Sequence, residues 1–544
     1  MTSLDGETAS LLRRSIKEYT DRHLPEEFIL ELDRKGEFPR DDLEEMYDRE
    51  KLGLHLLLIP SEYGGAGAGA GDIYRICEQL ARVDLGIATA VFATFLGMDP
   101  IREGGTREQK EKWFNKLAKE GNLIAYCATE AEAGSDLGAL KTTATPAELD
   151  GKRGYRISGS KQWISNGGMA DIFLVLAKDT KSVGWFIVEK GAEGITHGLP
   201  EDKHGIRAAN TASVTFDNVF VPGENLVGME EGEGLAQAQA VFGFTRVMVA
   251  AFGLGGGWEA LERAIRYSQH RIQAGGPLSE KQGYTHKFLV PNAVKLEAGR
   301  AYIEKTANRL DEGEGGLQTE GAIAKYFCTQ AGNEAADDSI QALGGYGYVR
   351  EYMVEKLKRD VRITTIYEGT HEIMEMTIAR NRWQEHLKSR GEYYQGLSRE
   401  MLMLHMKRGD VGANVSALGL SAMGKIMEEC RNQKLTRNQH VLMRLGELIS
   451  WAEVSYSFCQ IASSDPPESV RFKPDVYRAM SRIFSRIAAR KIASDGMAII
   501  SGYGEDLPRG FDENIDLDGI MRAESGMSDD KEKVKEGLME TFRG

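Results

Sequence analysis

The residues best suited to chemistry in this chain are Tyr367-Glu368-Gly369-Thr370, preceded by Ile366. They put one carboxylate on a short glycine-containing turn, between a charged segment (Lys358 to Arg362) and a helical pattern that opens at Glu372. A carboxylate on a turn can project into a cavity, and a glycine beside it lets the backbone approach whatever is bound. To take a proton from carbon, that carboxylate must be a stronger base than in water, which burial achieves by penalising its charged form. A Glu before a Gly is also common on plain surfaces. The turn gains its meaning from blocks upstream.

Those blocks are Ala125-Tyr126-Cys127-Ala128-Thr129-Glu130-Ala131-Glu132-Ala133-Gly134-Ser135-Asp136, then Lys161-Gln162-Trp163-Ile164-Ser165-Asn166-Gly167. Next come Gln341-Ala342-Leu343-Gly344-Gly345-Tyr346-Gly347-Tyr348 and Arg359-Asp360-Val361-Arg362. In this order and spacing they resemble the acyl-CoA dehydrogenase family of flavoenzymes, from about Asp21 to Trp383. Trp163 through Phe173, Gly194-Ile195-Thr196-His197-Gly198 and the long chain beyond the core are similar to the very-long-chain branch, as, more loosely, are Gln439 to Leu445 and Ala488 to Ala498.

The resemblance implies FAD as cofactor and an acyl-CoA thioester as substrate. It assigns Glu368 the α-proton base, with its backbone N–H helping to hold the thioester oxygen, a fixed donor facing developing negative charge. Some relatives carry the base on the residue before a helix arginine that corresponds here to Arg246; that residue is Thr245, which cannot serve. The resemblance lays Tyr126, Ala128, Thr129, Gly134 and Ser135 along the flavin ring, with Trp163 and Ser165 covering it. Arg271, Gln341, Gly344 and Gly345 correspond to contacts with the pyrophosphate and adenosine of a neighbouring subunit's flavin, and Thr370 and Glu372 to a helix start that favours phosphate. Ser135, Arg246 and Arg380 are carried over as coenzyme A contacts, with Tyr367 and Gly369 beside the thioester.

Plainer readings stand beside these. Trp163 reads equally as strand core, Arg271 as a solvated helix-end charge, Thr370 as an N-cap, and Arg246 and Arg380 as helix-surface salt bridges. Four positions depart from the family pattern. Ala131 stands where Pro is usual, Glu132 adds a carboxylate to the flavin loop, Ala274 replaces an aromatic, and Gly243 replaces an Asp or Asn.

The elements that must position these residues follow from periodicity. Residues 1–122 read as a helical domain and 123–228 as a middle antiparallel β domain, with alternating or buried-type runs at Tyr155 to Ser158, Ile172 to Leu176, Trp185 to Val188 and Ala212 to Val219. Residues 229–386 read as a four-helix bundle from Gln237 to Phe252, Trp258 to Arg271, Gln282 to Leu310 and Thr319 to Gln341. Residues 387–544 form a further helical extension. The class is therefore α+β, with separate helical and sheet layers. The glycines at Ala66 to Gly71 read as an exposed, flexible connection, since no GxGxxG register fits and no strand precedes them. Gly253-Leu254-Gly255-Gly256-Gly257 fails the same motif.

A formal net charge of -14 over 544 residues argues against a nucleic-acid partner. The five cysteines show no CxxC spacing, so neither a disulfide framework nor a metal site is expected. No 18-residue apolar run exists; Thr89, Thr94 and Gly97 interrupt Ile87 to Met98. Met1-Thr2-Ser3-Leu4-Asp5-Gly6-Glu7 lacks the features of a secretory or transit signal. A cytoplasmic protein is expected. Arg478, Arg482, Arg486 and Arg490 recur at four-residue spacing, giving a stripe that either contacts the inner face of a membrane or pairs with acidic neighbours. By resemblance, electrons pass to electron-transfer flavoprotein and the chain is a homodimer. The alternatives are an acyl-CoA oxidase using oxygen and a non-catalytic scaffold on the same fold.

Overall fold

The computed structural model describes residues 3–504 and 507–543. Met1 and Thr2 of the acidic amino terminus, and Glu505, Asp506 and Gly544 of the helical extension, lie outside the described residues. The chain forms two compact units, Met1–Met248 with Ala307–Gln318, and Val249–Thr306 with Thr319–Gly544.

In the first unit, helices from Gly6–His23 to Arg107–Glu120 precede the strands. The Ala66 to Gly71 run is not an exposed loop. Ala68 to Gly71 are buried, the helix Ala70–Val83 starts within them, and the Ala70 and Gly71 N–H groups donate to the Asp311 carboxylate at 2.6 and 3.0 Å. A Cβ at Gly69 would lie 2.7 Å from Asp311, so the absent side chain is what admits this cap. The helix Leu85–Gly104 has a window long and apolar enough to cross a membrane, and 89% of that window is buried inside the protein. Gly97 lets it press on Ile124, at the start of the first strand.

The strands are β1 Ile124–Cys127, β2 Thr143–Leu149, β3 Lys152–Ser165, β4 Ile172–Lys178, β5 Val183–Glu189, β6 Ile195–His197 and β7 Thr211–Pro222. They make one sheet in the order β1-β4-β2-β3-β7-β6, with β5 on β4. The expectation of an antiparallel domain needs correcting at β4, which runs parallel to β1, Ile124 opposite Ile172, and to β2, Thr143 opposite Lys178. The β2–β3 hairpin intervenes between β1 and β4, so the chain returns in its original direction. Cys127, Ile157, Val175, Phe186, Val214 and Phe216 form the core between the two faces.

In the second unit the sequence expectation of separate helices at Gln237 to Phe252 and Trp258 to Arg271 is replaced by one helix, Gly234–His270, which begins in the first unit. The intervening glycines do not break it because they serve a helix crossing. A Cβ at Gly253 would meet Thr329 Cα at 2.7 Å, and one at Gly257 would meet Gly332 Cα at 2.6 Å. Backbone therefore touches backbone where this helix meets Gln318–Leu343. The helices Val290–Asp311 and His371–Lys388 complete the set, a π-helical turn at Thr285–Leu289 leading into the former.

The extension supplies Glu392–Lys407, Ala413–Asn432, Gln439–Ala462, Pro474–Tyr503 and Met527–Thr541. Val441, Leu445, Leu448, Ala452 and Tyr456 are buried, as their spacing predicts. A buried network ties the extension to the bundle helices: Arg382 donates to Glu453 at 2.6 and 2.9 Å and to Glu320 at 3.0 Å, and Tyr394 donates to Glu453 at 3.1 Å. The arginine stripe pairs with acidic neighbours, and Arg490 at its end is exposed. Arg478 pairs with Asp410, Arg482 and Arg486 share Asp530, and Arg490 pairs with Glu524. Of the two readings the spacing allows, these pairs match the one in which the stripe meets acidic neighbours.

Candidate active site

The sequence-derived residues fall into two groups, one in each unit. In the first unit, β1 carries Tyr126, whose ring packs 4.6 Å from that of Trp185. Past its end, Ala128 is buried and Thr129 half-buried, while Gly134 and Ser135 are exposed. A Cβ at Gly134 would meet nothing within 4 Å, so space is open beside it. Glu130 and Ala133 exchange backbone hydrogen bonds of 3.0 and 3.1 Å, so the tight turn closes with Ala131 where Pro is usual. Glu132 is paired with the Lys141 ammonium.

Trp163 is not strand core. It is 58% exposed, with φ 56°, at a register shift between β3 and β7 that spans Lys161 to Ile164. A bulge re-aims the side chain it carries. Left-handed backbone at a bulky residue costs about 1–3 kcal/mol. A large aromatic face is thus held outward against both strain and the hydrophobic effect, as a stacking platform for a planar ring requires. Ser165, half-buried, follows opposite Thr211. Asn166 anchors this end of the strand, its Nδ2 donating to the Ala90 carbonyl at 3.0 Å.

Arg246 departs from its surface salt-bridge reading. It is only 6% exposed, lies 4.7 Å over the Phe242 ring, and donates to the Gln318 carbonyl at 3.3 Å. Gly243 faces the same segment, where a Cβ would come within 3.2 Å of the Leu317 carbonyl. Close backbone approach accounts for the glycine where the family has Asp or Asn.

In the second unit, Glu368 and Gly369 are consecutive left-handed residues, φ 55° and 90°. Tyr367, Glu368, Gly369 and Thr370 are all half-buried. The buried Lys325 ammonium donates to the Gly369 carbonyl, which pins the turn from the bundle side. Thr370 caps the helix His371–Lys388, its Oγ1 accepting from the Ile373 N–H at 3.4 Å, so the N-cap reading holds. Behind the turn, Thr329 Oγ1 and His371 Nε2 lie 2.7 Å apart. Burial, helped by the Lys325 charge, pushes His371 down to about 3, leaving a neutral ring there. Glu372 and Arg380 are exposed on the helix.

Arg271 is exposed just past the helix Gly234–His270, as its helix-end reading holds. The hairpin that follows pairs Ile272 with Pro277 and Gln273 with Gly276. Its two-residue loop, Ala274-Gly275, has φ 47° and 80°, the backbone of a type I′ turn, which a bulky aromatic at the first position would strain further. Gln341, Gly344 and Gly345 are exposed, and a Cβ at either glycine would meet nothing within 4 Å.

Sequence reasoning missed Lys161, Glu130, Lys325 and His371, whose roles depend on partners far away in the chain. One signal was present: Lys325 interrupts Ala322-Ile323-Ala324-Lys325-Tyr326-Phe327, a cation inside an otherwise apolar helix stretch.

Three family models match consecutive parts of the chain: acyl-CoA dehydrogenase, N-terminal domain, over residues 6–121; middle domain, over 125–219; and C-terminal domain, over 232–382. The chain belongs to the acyl-CoA dehydrogenase family. It is 36% identical over 377 residues to an acyl-CoA dehydrogenase of Bacillus subtilis, covering 68% of this chain and 96% of that one. The mouse mitochondrial very long-chain specific acyl-CoA dehydrogenase is 36% identical over 341 residues, 61% of this chain and 51% of that protein. In fold, the structure of a Bacillus anthracis acyl-CoA dehydrogenase complexed with FAD superposes with a TM-score of 0.82 at 24% identity, covering 100% of this chain and 96% of that one. The extra carboxy-terminal helices are thus part of the shared fold.

The protein is a flavin-dependent oxidoreductase with FAD as its cofactor. Its own residues fit that group: the outward Trp163 face offers a stacking surface, and the open space at Gly134, Gly344 and Gly345 leaves room beside bare backbone.

Proposed function

We propose that this enzyme dehydrogenates an acyl-CoA thioester across Cα and Cβ to give the trans-2-enoyl-CoA. The observation that carries the reading is the Glu368 turn, a half-buried carboxylate in left-handed backbone, pinned through Gly369 by Lys325 and followed directly by a capped helix. Strain of this kind persists only where the surroundings hold it, and it gathers at working sites. Glu368 takes the α proton. FAD supplies, when bound, the acceptor for the β hydrogen and its electron pair, so that both C–H bonds break as the C=C bond forms. The Glu368 N–H polarises the thioester carbonyl as the α carbon loses its proton. Tyr367 and Gly369 border the thioester, and Ser135, Arg246 and Arg380 hold the coenzyme A portion.

On the cofactor side, Tyr126, Ala128, Thr129, Gly134 and Ser135 lie along the ring, with Trp163 and Ser165 covering it. Arg271, Gln341, Gly344, Gly345, Thr370 and Glu372 serve the phosphates and adenosine. This division requires a homodimer, and Ile272, Tyr346, Tyr348, Val349 and Tyr352 are exposed apolar side chains of the second unit suited to a subunit contact. Light scattering is expected to give the mass of two chains. Electron-transfer flavoprotein is the proposed acceptor and the cytoplasm the proposed compartment. Among the described residues all five cysteines are buried free thiols, in keeping with reducing surroundings.

Anaerobic mixing of the yellow enzyme with a panel of acyl-CoA thioesters tests the reading. Wild type is expected to lose its visible flavin absorbance with at least one of them. Glu368→Gln is expected to slow that loss by on the order of 10³-fold. Bleaching of the variant at the wild-type rate would remove Glu368 from the chemistry, and rapid peroxide release without added acceptor would make the enzyme an oxidase.

A further inference from the structure

We propose that the buried Lys161–Glu130 ion pair is a clamp that presets the flavin-facing loop, residues 128–135, against the Trp163 bulge, making Lys161 and Glu130 positioning residues for FAD. The proposal rests on the assignment of Ala128, Thr129 and Trp163 to the flavin made above.

Lys161 has no exposed surface, and Glu130 is nearly as buried. The Lys161 ammonium donates to Glu130 Oε1 at 2.8 Å and to the Ala128 carbonyl at 3.0 Å. The next residue along, Gln162, donates its N–H to the Thr129 carbonyl at 3.0 Å. Glu130 accepts in addition from the Lys141 and Thr142 N–H groups at 2.5 and 3.0 Å. One stretch of β3 therefore grips two successive loop carbonyls and, through Glu130, the start of β2. Gly159 permits the approach on that side, since a Cβ there would lie 2.4 Å from Thr142.

An ion pair is a poor choice if stability alone is wanted. Taking both charges out of water costs as much as their attraction returns, and apolar replacements of similar volume are commonly neutral or better. What the pair supplies is direction. The peptides are trans, so holding the Ala128 carbonyl toward Lys161 turns the Thr129 N–H the opposite way, away from the pair. Two residues past Lys161, the bulge turns the Trp163 indole outward. The same strand segment thus fixes an outward backbone donor and an outward aromatic face, one suited to the polar edge of a flavin ring and the other to its plane. Burial raises the Glu130 carboxyl, but hydrogen bonds from Lys161, Thr142 and Lys141 outweigh it and bring the group down to about 2, while burial lowers the Lys161 ammonium against the opposing pull of Glu130.

The test is the double variant Lys161→Met/Glu130→Gln, which removes both charges together and leaves no buried ion unpaired. It is expected to keep the wild-type circular dichroism and melting temperature, while FAD binds roughly tenfold or more weakly and the bound flavin loses its wild-type visible band shape. Wild-type FAD affinity together with a wild-type flavin spectrum would reduce the pair to plain structure and overturn the proposal. Amide exchange in the wild-type chain gives a second reading should the double variant fail to fold. The Lys141, Thr142 and Gln162 amides are expected to stay equally protected with FAD bound and with FAD dialysed away, because the clamp precedes the cofactor. Protection that vanishes with the flavin would mean that FAD orders the loop instead. Neither measurement uses substrate, so an enzyme that binds FAD but is bleached by no acyl-CoA would sink the dehydrogenation while leaving the clamp standing.

Discussion

Seven residues beyond the proposed base, Glu375 sits half-buried on the helix His371–Lys388 that follows the turn, close enough to the extension that a Cβ at Gly446 would come within 2.3 Å of the Glu375 carbonyl. Burial pushes its carboxyl up to about 7; Glu447 and Glu372 add to the rise, while Tyr326 and Arg444 oppose it. Between the ordinary carboxylate value and about 7, the folded chain keeps a proton that the unfolded chain has released. Stability is therefore greatest below the ordinary value and falls as pH rises through about 7. Glu375→Gln is expected to melt with wild type near pH 5 and above it near pH 8, by about 1–2 kcal/mol once partial exposure is allowed for. Parallel melting-temperature profiles for the two proteins across that range would remove Glu375 as the source. At this scale the sequence made some residues legible and hid others for one reason. The Glu368 turn and the Thr370 cap are contiguous patterns, whereas Glu130 finds Lys161 thirty-one residues away and Lys325 finds Gly369 forty-four away. No local pattern encodes such pairings. Trp163 lay between the two cases: its type marked a platform, but only the bulge decided that it faces outward.

Among elements, glycine was the hardest letter to interpret. The same residue opens loops, admits caps and lets helices touch, and only the surroundings choose between these uses. The Ala66 to Gly71 run became a buried helix start because Asp311 supplies its cap, and Gly253 to Gly257 became a helix crossing because Gly332 faces it. Gly253→Ala should therefore act as an overpacking change, forcing the Thr329 backbone away at a cost of about 1–3 kcal/mol. Denaturant unfolding checks this, and an unchanged midpoint would mean that the crossing has slack. Strands were more legible than helix boundaries. Period-two alternation survives along stretches of β7, and apolar runs mark β4 and β5, because strands with both faces buried leave few alternatives. The parallel β1–β4 pair was not legible, since strand direction depends on the path taken between strands.

Over the whole molecule, the sequence boundaries at 122, 228 and 386 follow changes of periodicity, while the two compact units follow contact and divide the helix Gly234–His270 between them. The bundle helices and the extension share one unit, joined by the Arg382–Glu453 network with Tyr394. Glu453→Ala would leave the buried Arg382 guanidinium with Glu320 as its carboxylate partner and the Tyr393 ring beneath it. Such losses cost about 3–5 kcal/mol, so a melting temperature several degrees lower is expected for this unit. A melt indistinguishable from wild type would show that solvent reaches the site. The paired arginine stripe has a further consequence for how the enzyme meets its surroundings. Its four cations are matched by Asp410, Asp530 and Glu524, so they form no unopposed basic patch on a chain with net charge -14. Vesicles rich in acidic phospholipid should repel it at low ionic strength, and basic surfaces should gather it from solution.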